Sequence, residues 1–526
     1  MFAQNKVVDL GRFRATCSGR REAVCDFDTG RRYTFAELDR RADSMAAFLT
    51  EVTGLRAGDR VAFCSENNVA FLDAFLMSYK TGIIITSYNC MMGKKELLSL
   101  VAQETPKVVF YSGDRRGVME PFRTDGTERE YVAIRGEADE RDRYAYENVI
   151  SYRPAQAVHY ETPEYEDIQM LIHTGGTTGR PKAAMMSYRA LLCNAVSSIL
   201  TVGVSERDCQ LQLLPFFHTA GWNSLMLPVF VAGGRTVYTS EFEAGKVLRA
   251  VAAEQPTVCI GVETMYKRLA DHADFPAVDL SSFRWMVNGA APISRQTLET
   301  YWRKRVKLIN AYGMTEIGPE NLVPPVDAMT LEEIRDKWES VGRAMLFNQM
   351  KIIDEEGREA QSGERGEMLF RGPLTFSGYW RNEEQTGSVV KNGWIHTGDI
   401  AYCDPDGFYY ICGRKKNMFI SGGENIYPVE IEYALAGHPA VDFACVIGVA
   451  DEQWGEVGKA LIVLKPGAAA TENELRRLVK EECTSIKVPK YIQFVDKIPR
   501  TSVGKLDMTE IRRLYGSCSG RPPDES

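Results

Sequence analysis

The stretch Ile168-Gln169-Met170-Leu171-Ile172-His173-Thr174-Gly175-Gly176-Thr177-Thr178-Gly179-Arg180-Pro181-Lys182 decides how this chain is read. The run from Ile168 to Ile172 has the apolar density of a buried strand. The segment Thr174–Lys182 that follows carries three glycines, three threonines, an arginine and a lysine in nine residues. Glycines let successive backbone N–H groups turn toward one concave point, and such nests bind anions. Hydroxyls add neutral donors, and a lysine adds a compact charge suited to phosphate. The loop therefore has the chemistry of a polyphosphate cradle, with a Gly/Thr-rich surface turn as the plain alternative. It is not a Walker A loop, because Pro181 precedes the lysine and Ala183 follows it where that motif needs Gly and then Ser or Thr.

At 526 residues the chain exceeds one ordinary core, so two or more domains are expected. Its 44% hydrophobic and 25% charged residues are those of a globular protein. A net charge of −8 argues against non-specific nucleic-acid binding and leaves room for a local basic funnel. No apolar run reaches the length of a membrane span. Met1–Lys6 lacks the apolar core of a signal peptide. The twelve cysteines include no C-x-x-C pair, which indicates neither a zinc knuckle nor a disulfide frame. A reduced cytoplasm is the expected location.

Outward from the loop, helical and strand-like segments alternate through about residue 312. Thr34-Phe35-Ala36-Glu37 reads as a capping box opening a helix whose apolar face is Leu38, Ala42, Met45, Ala46 and Leu49. Strands are expected at Val61–Cys64, Ile83–Thr86, Val108–Tyr111, Gln210–Leu214, Thr236–Tyr238, Val258–Gly261, Trp285–Asn288 and Lys307–Asn310. Their near-continuous apolar character predicts an α/β, largely parallel architecture covered on both faces. From about Val341 glycines punctuate short pieces such as Gly366–Phe370 and Phe408–Cys412, which reads as a smaller β-rich section. Beyond Gly413-Arg414-Lys415-Lys416-Asn417 the pattern becomes a compact α+β unit. It has a helix from Pro428, a strand near Ala444–Val449 and a second capping box at Thr471–Glu474. The boundary is placed at Lys416, giving domains 1–415 and 416–526, with residues 516–526 expected to be a disordered tail.

Five further motifs follow in order. Asn310-Ala311-Tyr312-Gly313-Met314-Thr315-Glu316 offers a ring to stack on a purine, a hydroxyl for a phosphate and a carboxylate for Mg²⁺. Trp394-Ile395-His396-Thr397-Gly398-Asp399 offers a carboxylate for ribose hydroxyls. Gly413–Lys416 is a basic run, Ser421-Gly422-Gly423-Glu424-Asn425 a glycine turn, and Pro499-Arg500-Thr501-Ser502-Val503-Gly504-Lys505 a lysine on a Gly-hinged loop. Each alone also fits an ordinary turn or a solvated surface.

Together, in this order, they resemble the acyl-activating, AMP-forming adenylate superfamily, which includes acyl- and aryl-CoA synthetases, luciferases and peptide-synthetase adenylation domains. The likeness runs from about residue 30 to Arg513 and includes Leu214-Pro215-Phe216-Phe217-His218 and Asn288-Gly289-Ala290-Ala291-Pro292. It implies a large, multi-subdomain N-terminal domain and a small, mobile C-terminal one. It assigns Thr174, Gly175, Gly176, Thr177, Thr178, Gly179 and Lys182 to the β- and γ-phosphates of ATP. Gly289, Ala290 and Ala291 would sandwich adenine with Asn310, Ala311, Tyr312 and Gly313. Thr315 would meet the α-phosphate, Glu316 the magnesium ion, and Asp399 the ribose, with Arg414 beside it. Lys505 is the implied adenylation lysine, Lys416 the hinge, and Gly422 and Gly423 the coenzyme A tunnel.

Departures from the family pattern are Ala183, where relatives usually carry glycine, and Asn417, where an acidic residue is common after the hinge lysine. The first is tolerated if its φ is negative. Amino-acid-activating relatives place an aspartate where this chain has His218, so a fatty or aromatic carboxylic acid is the expected substrate. His218, Trp222 and Met314 are candidates to border it, ordinary core packing being the alternative for the last two. Trp454-Gly455-Glu456 and Gly422–Pro428 resemble the CoA-ligase branch in particular. The resemblance thus implies ATP-dependent formation of an acyl-adenylate and its transfer to coenzyme A. The alternatives are loading of an acyl carrier protein, a non-catalytic acyl or nucleotide sensor, and a luciferase-like oxygenase. Either a monomer or a homodimer fits.

Overall fold

The computed structural model describes residues 5–89, 92–136, 138–156, 160–174, 182–290, 293–500 and 506–517. Two seven-stranded sheets carry the first three hundred residues. One runs Tyr144–Ala145, Glu130–Arg135, Val108–Ser112, Arg60–Cys64, Ile84–Ser87, Ile168–Thr174, Lys182–Ser187, and only the last neighbouring pair is antiparallel. The other runs Leu308–Asn310, Trp285–Asn288, Val258–Gly261, Cys209–Gln212, Arg235–Tyr238, Glu22–Asp26, Arg31–Thr34, again antiparallel only at its last pair. The expected α/β, largely parallel architecture is present. Strands buried along their whole length, such as Val108–Ser112 and Trp285–Asn288, explain why the sequence shows runs in place of alternation.

Helices cover the sheets. In the helix Phe35–Ala47, Thr34 accepts a hydrogen bond from the Glu37 amide, and Leu38, Ala42, Met45 and Ala46 are all fully buried. Glu37 itself turns to Arg31, 3.8 Å away, so the cap is a threonine cap with a nearby ion pair. Leu49 lies beyond the helix, in the wider turn Phe48–Val52, and is buried as expected. Between this helix and Ala70–Thr81, Arg41 grips Asp73 with Nε–Oδ1 at 3.0 Å and Nη2–Oδ2 at 2.6 Å, and the Tyr146 hydroxyl also donates to Asp73. The Asp73 side chain has no solvent exposure.

Contacts divide the chain into two compact units. The first comprises Met1–Ile293, Thr300–Gln349 and Phe370–Ile395, and the second Ser294–Glu299, Met350–Leu369 and His396–Ser526. The second unit holds the antiparallel pair Trp394–Cys403 and Tyr409–Arg414 from His396 onward. It also holds an α+β layer. There the strands Val441–Asp451 and Gly455–Leu464 pair along their length and are flanked by Phe419–Ser421 and Tyr491–Phe494. The helices Pro428–Ala436 and Glu472–Glu482 pack on one face through Ile431, Leu435, Leu475 and Val479, and Met508–Tyr515 on the other through Ile511. The capping box Thr471–Glu474 is complete in both directions.

The buried Arg41–Asp73 pair yields a test of the packing. Asp73→Ala strands the guanidinium without its partner and is expected to lower stability by about 3–5 kcal/mol, read from urea unfolding. A loss under 1 kcal/mol would show that water reaches the pair.

Candidate active site

The antiparallel register of the strands Ile168–Thr174 and Lys182–Ser187 sets Thr174 directly opposite Lys182. Both ends of the glycine-rich loop are thereby fixed; Gly175, Gly176, Thr177, Thr178 and Gly179 lie outside the described residues. Ala183 sits in the extended strand opposite His173, so no glycine is needed there. Segment 376–380 straps this strand to the turn Thr315–Ile317. The Phe376 amide donates to the Glu316 carbonyl at 3.0 Å, and the Trp380 amide donates to the Ala183 carbonyl at 2.8 Å. At the centre of the strap the Tyr379 hydroxyl donates to Glu316 Oε1 at 2.6 Å, while Lys182 Nζ stands 5.1 Å from the centre of the Tyr379 ring. Lys182 also donates to Gln385 Oε1. Burial lowers the Lys182 ammonium from the usual lysine range, against the pull of Glu316, which raises it. Thr174, Lys182 and Glu316 are thus brought to one place, with Thr315 beside Glu316 and both buried.

The strand ends Trp285–Asn288 and Leu308–Asn310 supply a second group. Asn288 Nδ2 donates to Asn310 Oδ1 at 3.0 Å, Asn310 Nδ2 to the Trp338 carbonyl at 2.9 Å, and the Ala311 amide to the Asn288 carbonyl at 2.9 Å. Ala290 is exposed and has φ +66°, a left-handed conformation that L-residues adopt at a cost, typically at functional sites. Gly289 and Tyr312 are partly open, with the Tyr312 ring stacked 6.3 Å from Phe370. Gly313 is required by a close approach: a Cβ there would lie 2.1 Å from the Pro319 carbonyl oxygen. Ala291 lies outside the described residues.

The second unit makes its own polar site. Asp399 and Arg414 face each other across an antiparallel pair, with Arg414 Nε 2.8 Å from Asp399 Oδ1. Arg414 Nη1 donates to the Thr397 carbonyl at 2.8 Å, and the Thr397 hydroxyl, bonded to the Met368 carbonyl at 2.7 Å, accepts from the Asp399 amide at 3.0 Å. Asp399 is 4% exposed, so its carboxylate is aimed and largely desolvated. Lys416 lies in the single turn Lys415–Asn417, its carbonyl accepting from Arg512 Nη2 at 3.2 Å. Gly422 and Gly423 are the two central residues of a tight hairpin, with φ +57° and +87°, as a type I′ turn requires. A Cβ on Gly422 would lie 2.7 Å from the Trp454 ring. Lys505 lies outside the described residues.

His218 is partly buried, its Nδ1 accepting from the Ala220 amide at 3.2 Å, and its carbonyl accepting from the Gly221 and Trp222 amides as the π-helical turn Ala220–Ser224 begins. Trp222 is packed among Phe75 and Phe216, ring centres 4.6 and 5.6 Å away, beside a small apolar cavity lined with Leu72, Leu76, Met226 and Phe230. Its packing is that of a core residue. Met314 is partly exposed, at the end of the short strand Tyr312–Met314.

Three polar features lie outside the motifs. Tyr379 and Gln385 come from a segment with no motif of its own. His173, the residue before the glycine-rich loop, donates Nε2 to Glu104 Oε1 at 2.6 Å and Nδ1 to the Ser87 carbonyl at 2.9 Å. Burial pulls the imidazole down, but the Glu104 carboxylate outweighs it and the group is raised, consistent with both nitrogens carrying protons. Glu320, on the strand Gly318–Val323, is 2% exposed, and burial pushes its carboxyl up to about 8. A carboxylate in a short strand that ends in the apolar pair Leu322 and Val323 is the sequence signal that could have found it.

The model of the AMP-binding enzyme family matches residues 12–380, and that of the AMP-binding enzyme C-terminal domain matches residues 430–505. The chain is 33% identical to a feruloyl-CoA synthase of an Amycolatopsis species, over 93% of this chain and 95% of that protein. It is 31% identical to an indoleacetate–CoA ligase of Aromatoleum aromaticum, over 91% and 93%. Among solved structures, o-succinylbenzoate CoA synthetase from Bacillus subtilis in complex with its acyl-adenylate intermediate superimposes with a TM-score of 0.84. It shares 26% identity, covering 97% of this chain and 99% of that one.

Glu320 sets a pH signature. Unfolded, a glutamate ionises near its ordinary value of 4.5; folded, this one ionises near 8. Below both values the group costs nothing, and between them the unfolded state is favoured by release of a proton, by about 1.4 kcal/mol per pH unit. The melting temperature is expected to fall between about pH 5 and pH 8, and Glu320→Gln to flatten that fall. Parallel profiles for the two proteins would contradict the burial.

Proposed function

Because this chain belongs to the AMP-binding enzyme family, we propose that the residues gathered around Tyr379 and those around Asp399 serve one reaction, the ATP-dependent ligation of a carboxylic acid to coenzyme A. The chain is an AMP-forming acid–thiol ligase: it converts the acid to an acyl-adenylate with loss of pyrophosphate, then passes the acyl group to the thiol with loss of AMP. The observation that carries the finer assignment is the Lys182–Tyr379–Glu316 arrangement, which holds a cation and a carboxylate at the base of the glycine-rich loop.

The first step brings two anions together, a carboxylate and the α-phosphate, so positive charge has to be fixed where they meet. Lys182 serves the β- and γ-phosphates together with Thr174 and the loop Gly175, Gly176, Thr177, Thr178 and Gly179. Its lowered ammonium stays protonated at neutral pH when a polyphosphate lies against it. Thr315 donates to the α-phosphate. Lys505 bridges the attacking carboxylate and the α-phosphate, and no general base is needed because the acid is already ionised. The donor set fits a hard cation: Glu316 spends one oxygen on Tyr379 and keeps lone pairs for Mg²⁺, which when bound neutralises charge on the leaving pyrophosphate. Preorganised charge of this kind is usually the largest catalytic contribution, and removal of one donor costs ~100- to 1000-fold in rate.

Gly289, Ala290 and Ala291 on one side and Asn310 to Gly313 on the other flank adenine. The strained Ala290 brings backbone close to the ring. Asp399, held by Arg414, accepts the ribose hydroxyls. For the second step Lys505 has to leave the path of the thiol. Lys416 is the hinge about which the domain 416–526 turns against 1–415, and the Gly422–Gly423 hairpin lines the pantetheine path. His218 borders the acid, with Met314. The aromatic acids in the names of two relatives support an aryl or arylalkanoic acid as the substrate.

AMP and pyrophosphate release, measured with ATP, Mg²⁺ and a panel of fatty and aromatic acids, tests this reading. CoA-dependent AMP turnover on aromatic acids is expected. Pyrophosphate release that CoA does not accelerate would point to a carrier-protein acceptor, and no turnover on any acid would overturn the ligase. Lys505→Ala is expected to abolish adenylate formation and to spare thioester formation from supplied acyl-adenylate; equal loss of both half-reactions would contradict the assigned role.

A further inference from the structure

His173 and Ala183 are register partners on the strands Ile168–Thr174 and Lys182–Ser187, one residue inside the pair Thr174–Lys182 that brackets the glycine-rich loop. Successive residues of a strand face opposite ways, so the His173 ring lies on the face away from Thr174. It is buried there among protein partners. Nδ1 donates to the carbonyl of Ser87, on the neighbouring strand Ile84–Ser87, and Nε2 to Glu104, the last residue of the helix Lys94–Glu104. The second carboxylate oxygen, Oε2, accepts from the Thr86 hydroxyl at 2.6 Å and the Tyr88 hydroxyl at 2.9 Å. The Tyr88 ring stacks on the imidazole, with centres 5.2 Å apart. Burying an ion pair is costly, and well-packed apolar residues of similar volume fill such a space as stably. A pair at this position therefore asks for a reason beyond packing.

The end of the same helix is tied on a second side. The Gln103 carbonyl accepts from Trp380 Nε1 at 3.4 Å and from Arg381 Nη1 at 3.1 Å. Arg60 Nε donates to the Glu104 carbonyl at 2.6 Å, and its guanidinium stands 5.7 Å from the centre of the Trp380 ring. The Trp380 amide in turn donates to the Ala183 carbonyl. The contacts close on themselves: His173 to Glu104, Gln103 to Trp380, Trp380 to Ala183, and Ala183 across the ladder to His173. All of these residues belong to the first unit. No link of a closed ring can lengthen without moving the others, so the ring restrains both strand ends at once.

We propose that His173 is a positioning residue for the polyphosphate: gripped by Glu104, it locks the two strand ends that carry the glycine-rich loop at the spacing the β- and γ-phosphates need. The inference rests on the assignment of that loop to ATP and goes beyond it, since the imidazole faces away from the loop and acts through the strands. Both ring nitrogens donate, and the Glu104 carboxylate outweighs burial in keeping the group charged. A loop that holds phosphates depends on its width, and a misplacement of ~1 Å can cost about 100-fold.

Calorimetric titration of ATP with Mg²⁺, and separately of AMP, into wild type, His173→Phe and Glu104→Gln tests the role. AMP keeps the adenine, ribose and α-phosphate and lacks the two phosphates assigned to the loop. His173→Phe keeps an aromatic ring against Tyr88 and removes both donors, while Glu104→Gln keeps the size and an acceptor and removes the charge. His173→Phe is expected to weaken ATP about tenfold and AMP less than about twofold, and Glu104→Gln to weaken ATP selectively by about threefold. Equal proportional loss of ATP and AMP would make the pair structural only, and no loss of either would show that the loop keeps its width without it. Both outcomes overturn the inference. If His173→Phe fails to fold, Glu104→Gln decides by the same ratio. Wild type that binds ATP no more tightly than AMP would overturn the loop assignment itself, and the inference with it.

Discussion

The hydrogen bond from Tyr379 to Glu316 is the interaction on which the rest of the site depends. It joins a turn at the end of one strand pair to a strap that is itself zipped to the strand bearing Lys182. A carboxylate buried this deeply needs a donor, and a lysine at the foot of a glycine-rich loop needs a fixed distance from that carboxylate. One tyrosine meets both needs, its hydroxyl bonding the acid and its ring face lying near the ammonium. Lys182 and Glu316 are thus charges held in place before any ligand arrives, the kind of preorganisation that lowers the reorganisation cost of catalysis.

Around this centre the fold spends polar burial in an uneven way. The Arg41–Asp73 and His173–Glu104 pairs are satisfied on both sides, and they lock helix to helix and strand end to sheet. Glu320 and the asparagines near it are left wanting.

Much of this was legible in the residues. Val258–Gly261 and Trp285–Asn288 are strands with the expected bounds, because strands covered on both faces are written as uninterrupted apolar runs. Ala183, tolerable from the sequence on the condition of a negative φ, lies inside the extended strand Lys182–Ser187 and meets that condition. Gly422 and Gly423 show both faces of a motif, being a plain two-residue hairpin and a candidate ligand-lining turn at once. Tyr379, Gln385 and Glu104 were not legible, since each meets its partner across 60 or more residues and no local period marks such a meeting. Glu320 was visible only as an acid in a strand, and its isolation emerges once three elements close over it.

In adenylate formation the acid's own oxygen attacks the α-phosphorus of ATP, and the thiol then displaces AMP from the acyl carbon. Supplying an accepted acid with both carboxylate oxygens as ¹⁸O and analysing the AMP by mass spectrometry tests this directly. One ¹⁸O is expected in each AMP released, because the C–O bond breaks on thiolysis and that oxygen stays on phosphorus. Unlabelled AMP, or label in ADP and phosphate in its place, would contradict it.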